Sequence, residues 1–161
     1  LRVREMRTSE TLTVAVGKSG IDLPDGFLDP IKLRDVTNDI TLPLKSEEYI
    51  EDIRTWTAAV LDSGDPAYYA IYDEQLQFDA KTSTAWRARA LFYKQPDALS
   101  TSNETNFMTR RYPHVLRMAC LAVGARFAHD SEMHQREQSL LFAEIDNLNA
   151  LDEQSRRGQE N

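Results

Sequence analysis

The sequence predicts an α+β fold, a helical bundle with a C-terminal helical hairpin plus a small antiparallel β unit. Three observations lead there. Between Phe107 and Leu151 apolar residues recur every three or four positions in two runs parted by His129-Asp130-Ser131, the period of two helices that turn back on each other. Upstream, short runs alternate apolar and polar residues and stop at Gly, Pro and Asp, the pattern of antiparallel strands. With 161 residues the chain suffices for one domain with a core, and the expectation is a single domain over 1–151 followed by a flexible tail, 152–161.

Taken in order, Thr11 to Val16 alternates Leu12, Val14 and Val16 against polar or small neighbours, the period of a half-buried strand. Gly17-Lys18-Ser19-Gly20 turns the chain, and Ile21 and Leu23 pair back as a short return strand until Pro24-Asp25-Gly26 ends it. A further strand is expected at Ile31 to Val36, so that 11–36 is β-rich. From Ser46 to Asp62 the period becomes helical through Ile50, Ile53, Thr57, Val60 and Leu61, and Glu47, Glu48, Glu51 and Asp52 suit the positive end of a helix dipole. Asp62-Ser63-Gly64-Asp65-Pro66 stops that helix. Three runs, Tyr68 to Tyr72, Gln75 to Ala80 and Trp86 to Tyr93, then read as a three-stranded meander.

Pro96 ends the sheet, and Thr101-Ser102-Asn103-Glu104 has the spacing of a capping box for a short helix with Phe107 and Met108. Pro113 fits the first turn of the next helix, where a missing N–H costs nothing. In that arm Tyr112, Val115, Leu116, Ala119, Ala122, Val123 and Phe127 are expected on one buried side, with Cys120 a small buried hydrophobe. The second arm carries Met133, Leu140, Leu141, Ile145, Leu148 and Leu151 on a narrower stripe. Asp152 to Asn161 has no apolar residue and is expected to be a tail.

The formal charge of −7 opposes tight binding to a phosphate backbone, which needs clustered cations. The charge is uneven, since Asp130 to Gln154 holds seven acids against one base, Arg136. No apolar run approaches the roughly 20 residues that cross a bilayer, and no secretory signal follows Leu1-Arg2-Val3-Arg4. Because the chain does not open on Met, Leu1 is taken to lie downstream of the gene's start. A lone Cys120 cannot form an internal disulfide and fits a reducing cytoplasm.

Catalytic and metal chemistry find little support. His129 and His134 are five apart and lack the spacing of a zinc-binding helix, so His114, His129 and His134 are given structural or surface roles. The acid pairs Asp22 with Asp25 and Asp73 with Glu74 have the residue types of a glycosidase, yet both fall at predicted turns, where Asp bonds to backbone. Gly17-Lys18-Ser19-Gly20 lacks the glycine spacing of a phosphate loop. Arg87 and Arg89, beside Trp86, Phe92 and Tyr93, suit either stacking on single strands or a subunit contact, and aromatic and Arg residues favour the second. Arg110, Arg111 and Arg117 are read as partners for the acids of a neighbouring copy, and no cofactor or metal is expected.

Four segments in order carry a resemblance. They are Gly64-Asp65-Pro66-Ala67-Tyr68-Tyr69-Ala70-Ile71-Tyr72, Phe92-Tyr93-Lys94-Gln95-Pro96, Ala98-Leu99-Ser100, and Arg111-Tyr112-Pro113-His114 through Asp130 to Leu148-Asn149. Together with Ile21-Asp22-Leu23-Pro24-Asp25-Gly26-Phe27, they resemble the head-to-tail adaptor proteins of tailed bacteriophages over roughly Thr11 to Asn149. Members of that family usually begin with a helical segment, for which Leu1 to Glu10 is too short.

The resemblance implies a structural virion protein at the head–tail interface, without catalysis. It would form a ring, commonly of twelve copies, that binds the portal above and tail or nozzle proteins below while genomic DNA passes through without sequence-specific contact. It further implies that the C-terminal extension, Gln154, Ser155, Arg156, Arg157, Gly158, Gln159, Glu160 and Asn161, reaches the portal. Arg87, Arg89, Arg110, Arg111, Tyr112 and Arg117 are the inter-subunit candidates. The acids Glu132, Glu137, Glu144 and Asp146 are candidates for the channel lining, because like charge lets a polyanion slide. Two other classes stay open at this point, a virion-associated cell-wall glycosidase and a monomeric protein-binding module.

Overall fold

The computed structural model describes residues 3–56 and 64–157. Four α-helices and two antiparallel sheets make it α+β, and the chain divides into two compact units. One unit is Arg7–Lys94; the other joins the N-terminal residues through Met6 to the segment from Gln95 onward.

The β unit contains seven strands in two sheets. Strands β1 (Arg7–Val14), β3 (Phe27–Asp35), β4 (Ile40–Leu42) and β7 (Trp86–Lys94) form one, in the order β1-β7-β3-β4. Strands β2 (Gly20–Asp22), β5 (Tyr69–Tyr72) and β6 (Gln75–Phe78) form the other, in the order β2-β6-β5. Side chains from both sheets meet in one core of Val14, Leu33, Leu42, Tyr69, Leu76, Phe78, Trp86, Ala88, Ala90 and Phe92. On β7 the alternating Trp86, Ala88, Ala90 and Phe92 are all buried. The two alanines leave room for Trp86 to meet Phe78 edge-on at 5.1 Å and for Phe92 to stack on Phe27 at 5.2 Å.

This arrangement corrects the expected meander. Strands β5 and β6 do form a hairpin, but β7 leaves it and pairs antiparallel with β1 on one side and β3 on the other. A nine-residue strand with a fully apolar face gains most in the middle of a sheet, and the link from Asp79 to Ala85 is long enough to carry it there. The return strand at Ile21 is corrected likewise, since β2 pairs with β6 rather than β1. Strand β3 begins at Phe27, earlier than expected, and runs through Pro30 because the ladder shifts register on either side of it. Strand β4 was not foreseen; three residues are too few to show an alternation.

Helix α1 (Glu47–Trp56) starts where Ser46 Oγ accepts from Tyr49 N at 3.3 Å, with Glu47 and Glu48 in its first turn. The rest of its expected span, 57–62, lies outside the described residues. Ile50 is fully buried, and Arg54 donates to Tyr72 Oη (2.8 Å), Gln77 Oε1 (3.1 Å), Phe78 O (2.6 Å) and Ser19 O (3.3 Å). One guanidinium therefore holds α1 to β5, to β6 and to the residue just before β2.

The second unit holds a 3₁₀ turn at Arg4–Met6 and helices α2 (Phe107–Arg111), α3 (Pro113–Phe127) and α4 (Ser131–Arg157). The cap of α2 is Asn106, not the expected Thr101 segment: its side chain accepts from Thr109 N at 3.1 Å, and Thr109 Oγ1 accepts from Asn106 N at 2.9 Å. Pro113 opens α3 as expected. The α3–α4 link is fixed at both ends. His129 takes a positive φ of 56°, Asp130 N donates to Ala125 O and His129 N to Arg126 O, closing α3, and Asp130 Oδ1 accepts from Met133 N to open α4. Helix α4 then runs back along α3, with His134 Nδ1 2.9 Å from Ala122 O and His114 Nε2 3.0 Å from Glu144 Oε1.

Two expectations about this unit change. The residues from Asp152 to Arg157 are helical rather than a tail. No helix breaker precedes Gly158, and Asp152 accepts from Arg4 N at 2.9 Å, which ties this stretch to the N-terminal turn. The inward line of α3 is Val115, Ala122 and Ala125, whereas Val123 and Phe127 are 68% and 88% exposed and Cys120 is exposed.

Candidate assembly surfaces

Three surfaces gather the residues singled out in the sequence. The first is the outer face of the four-stranded sheet. Alternation along β7 turns Arg87 and Arg89 outward, opposite Thr13 and Thr11 of β1, and Arg89 also stands across from Arg34 of β3. Arg34 pairs with Asp39, while Lys32 is exposed on the same face. Cations set directly opposite each other repel, and Asp39 beside Arg34 offsets part of that charge. Strand periodicity located Arg87 and Arg89; their neighbours Lys32 and Arg34 were missed because pairing between distant strands leaves no local trace.

The second surface is the start of the helical unit. Arg111 pairs with Glu5 of its own chain, and burial, with the Glu5 carboxylate nearby, pushes the Tyr112 hydroxyl above its ordinary pKa. These two candidates are engaged inside the unit, which weakens their selection as inter-subunit residues. Arg110 and Arg117 have no side-chain partner among the described residues, and Arg117 is exposed.

The third is α4. The structure separates its four candidate acids rather than grouping them. Glu137 is buried and accepts from Arg136 at 3.0 Å, so it is a correction to the channel set. Glu144 meets His114, and Glu132 and Asp146 are exposed without a side-chain partner among the described residues. Of the C-terminal candidates, Gln154 to Arg157 belong to α4, and 158–161 lie outside the described residues.

Elsewhere, Asp22, Asp25, Asp73 and Glu74 border one open depression at the edge of the β unit. Asp73 and Glu74 form the two-residue β5–β6 turn with φ of 51° and 57°, and Asp22 accepts from Gln75 Nε2 at 2.8 Å, so three of the four serve the turn or the ladder. Among the described residues no group of three or more His, Cys, Asp or Glu could hold a metal, and no helix is long and apolar enough to cross a membrane.

A two-unit α+β protein of this kind displays charged and apolar surfaces around a packed β core and a helical hairpin. The chain belongs to the SU10 adaptor protein family, whose model matches residues 1–161. Membership makes it a structural adaptor of a bacteriophage and implies a place in the virion with portal and tail proteins as its neighbours. No curated protein matches the chain.

Proposed function

We propose that the chain forms a ring, of twelve copies, that joins the portal to the tail and extends the DNA channel. Such a ring retains packaged DNA until the tail is attached, and the chain carries no catalytic role of its own. The observation that carries the reading is the exposure of Phe127 and Val123 at 88% and 68% on a helix whose other side is packed. Burying a Phe or Val side chain contributes about 1.5–3 kcal/mol, so this surface gains by being covered in an assembly. The adaptor membership over the full chain supports the same conclusion.

Within that ring, Arg87, Arg89, Arg110 and Arg117 contact neighbouring copies. Gln154 through Asn161 reach the portal, α4 carrying the first four of them as far as Arg157. Of the four acids, Glu132 is the best candidate for the channel lining. It lies on the side of α4 turned away from α3, in line with the small residues Ser139, Ala143 and Ala150, all exposed. A line of small side chains with one carboxylate per copy suits a wall past which DNA slides.

Mass measurement on portal rings mixed with the chain tests this. The expected result is a single step, close to twelve times the 18.4 kDa chain, saturating at one ring per portal. Binding of one or two copies per portal, or none, refutes it.

A further inference from the structure

We infer that β1 receives an extended segment of a tail protein along its free edge, continuing the larger sheet by one strand. The inference rests on the reading above, in which the end of α4 meets the portal and the β unit is left for the tail. The two sheets are joined at one pair of edges and parted at the other. Past β4 the chain bonds to β5, with Tyr69 N donating to Pro43 O at 3.3 Å and Lys45 N to Tyr69 O at 2.8 Å. On the other side, among the described residues, β1 pairs with β7 alone and β2 with β6 alone. An open cleft of about 510 Å³ lies where they diverge, with Thr13, Gly20, Asp22 and Gln77 in its lining.

The ladder fixes which backbone groups of β1 are free. Val36 N donates to Arg87 O at 2.9 Å, so the Arg87 carbonyl points to the β3 side, and alternation turns Trp86, Ala88, Ala90 and Phe92 toward β1. Pro30, which has no N–H, stands opposite Phe92 and so costs no bond. In register, Thr8, Glu10, Leu12 and Val14 exchange bonds with β7, while Ser9, Thr11 and Thr13 send their N–H and C=O groups to the free edge. On β2, Phe78 N donates to Ser19 O and Leu23 N to Glu74 O, so the alternate residues Gly20 and Asp22 face the same seam. Among the described residues no backbone group bonds to Ser9, Thr11 or Thr13.

An unpaired row of this kind is a template for another strand, and β1 lacks the usual protection: it runs eight residues with no proline and no shift of register. Beside the row, Leu12 and Ile21 are only half-buried at the rim of the core, and Glu10 is exposed with no partner among the described residues. An added strand sets alternate residues beside Glu10 and Leu12. The segment that fits is therefore uncharged and β-branched in the main, with an apolar residue beside Leu12 and a Lys or Arg two positions away beside Glu10. Antiparallel pairing with β1 of a second copy would instead make a two-fold dimer, which does not continue round a ring.

Proline substitution separates the two sides of β1. Thr11→Pro removes one outward N–H and no bond to β7, and Thr11→Val keeps that donor. Both should fold with the parent's circular dichroism, whereas Leu12→Pro loses a ladder bond and should lower the unfolding midpoint. The full-length chains are assembled on portal rings, and amide hydrogen exchange is read residue by residue before and after the virion's tail proteins are added. The expected result is that Ser9, Thr11 and Thr13 exchange fast on the ring alone and slow by about tenfold or more once the tail proteins bind, in the parent and in Thr11→Val. Thr11→Pro should lose the slowing at Ser9 and Thr13, and Glu10→Lys should weaken tail binding. No slowing in the parent, or slowing that survives in Thr11→Pro, overturns the inference and leaves the ring standing. Slowing already complete on the portal ring, before tail proteins are added, gives the edge to the portal or to a second copy and overturns the tail segment as its occupant. Parent chain that forms no ring overturns the ring reading, and the same exchange measured on chain and tail proteins alone then decides the edge.

Discussion

Replacing Arg54 should loosen the β unit more than any other single surface-reachable substitution. The Arg54 side chain is only 25% exposed, and it donates to Tyr72, Gln77, Phe78 O, Ser19 O and Glu51. Hydrogen bonds from a charged donor contribute about 1.5–3 kcal/mol each in mutational series, and bonds sharing one donor do not add. Glu51 and Tyr72 keep their own bond at 2.7 Å when the guanidinium is gone. Arg54→Ala is therefore expected to cost about 3 kcal/mol, and Arg54→Lys about 1–2 kcal/mol because an ammonium cannot span all of these acceptors. With a urea slope of about 1–3 kcal/mol/M, the Ala variant lowers the midpoint by roughly 1–3 M. The two units need not melt together, so the β unit is followed through buried Trp86 in a Trp56→Phe background, which removes the second of two tryptophans. A shift under about 0.5 kcal/mol for both variants refutes the claim that this side chain holds α1 to the smaller sheet.

Gly20→Ala places a Cβ 2.8 Å from Gln77 Oε1, so the Gln77 amide must swing away from Arg54; a cost of about 1 kcal/mol is expected, and it should shrink in an Arg54→Ala background when both are measured by urea unfolding. The β5–β6 turn and the α3–α4 link use Asp73, Glu74 and His129 at positive φ; Asp73→Asn with Glu74→Gly, and separately His129→Gly, should each raise stability by about 0.5–1 kcal/mol in thermal unfolding. Burial, helped by the Asp29 carboxylate, pushes Tyr69 up to about 12, and burial with the Glu51 bond does the same for half-buried Tyr72. Each tyrosine holds its proton more tightly folded than unfolded, where the value is about 10. Their contribution is complete below about pH 10 and is lost as pH rises through about 12, on the order of 2–3 kcal/mol for Tyr69 and less for Tyr72, which water screens. Tyr69→Phe should flatten the fall in the unfolding midpoint between pH 10 and 12.

Local chemistry made much of the fold legible. The Tyr112-Pro113 bend, the link at Asp130 and the alternation of Trp86, Ala88, Ala90 and Phe92 each rest on neighbours in the chain. Pairing did not. Nothing near Trp86 states that its partners are Arg7–Val14 and Phe27–Asp35, because a ladder is chosen by the total burial of two distant strands. Arg54 was passed over for the same reason, since its acceptors other than Glu51 lie 18 to 35 residues away.

The stripe on α3 was misassigned for a different reason. In an alanine-rich helix, steps of three and four fit both the line through Val115 and Ala122 and the line through Leu116, Val123 and Phe127, and periodicity cannot rank them. The packed line turned out to be the one with small side chains, which let α4 approach closely. That choice left the larger residues and Cys120 outside, and it is these that make an assembly surface. The acids of α4 were legible as a net charge but not as positions, since Glu137, Glu144 and Asp146 differ in burial and partner although all sit on one helix.

Imaging the full chain bound to portal rings tests the account most directly. A closed cyclic layer of copies, with Val123 and Phe127 of each covered in the assembly, is the predicted result. Isolated copies scattered on the portal, or a closed layer in which Phe127 faces water in every copy, would contradict it.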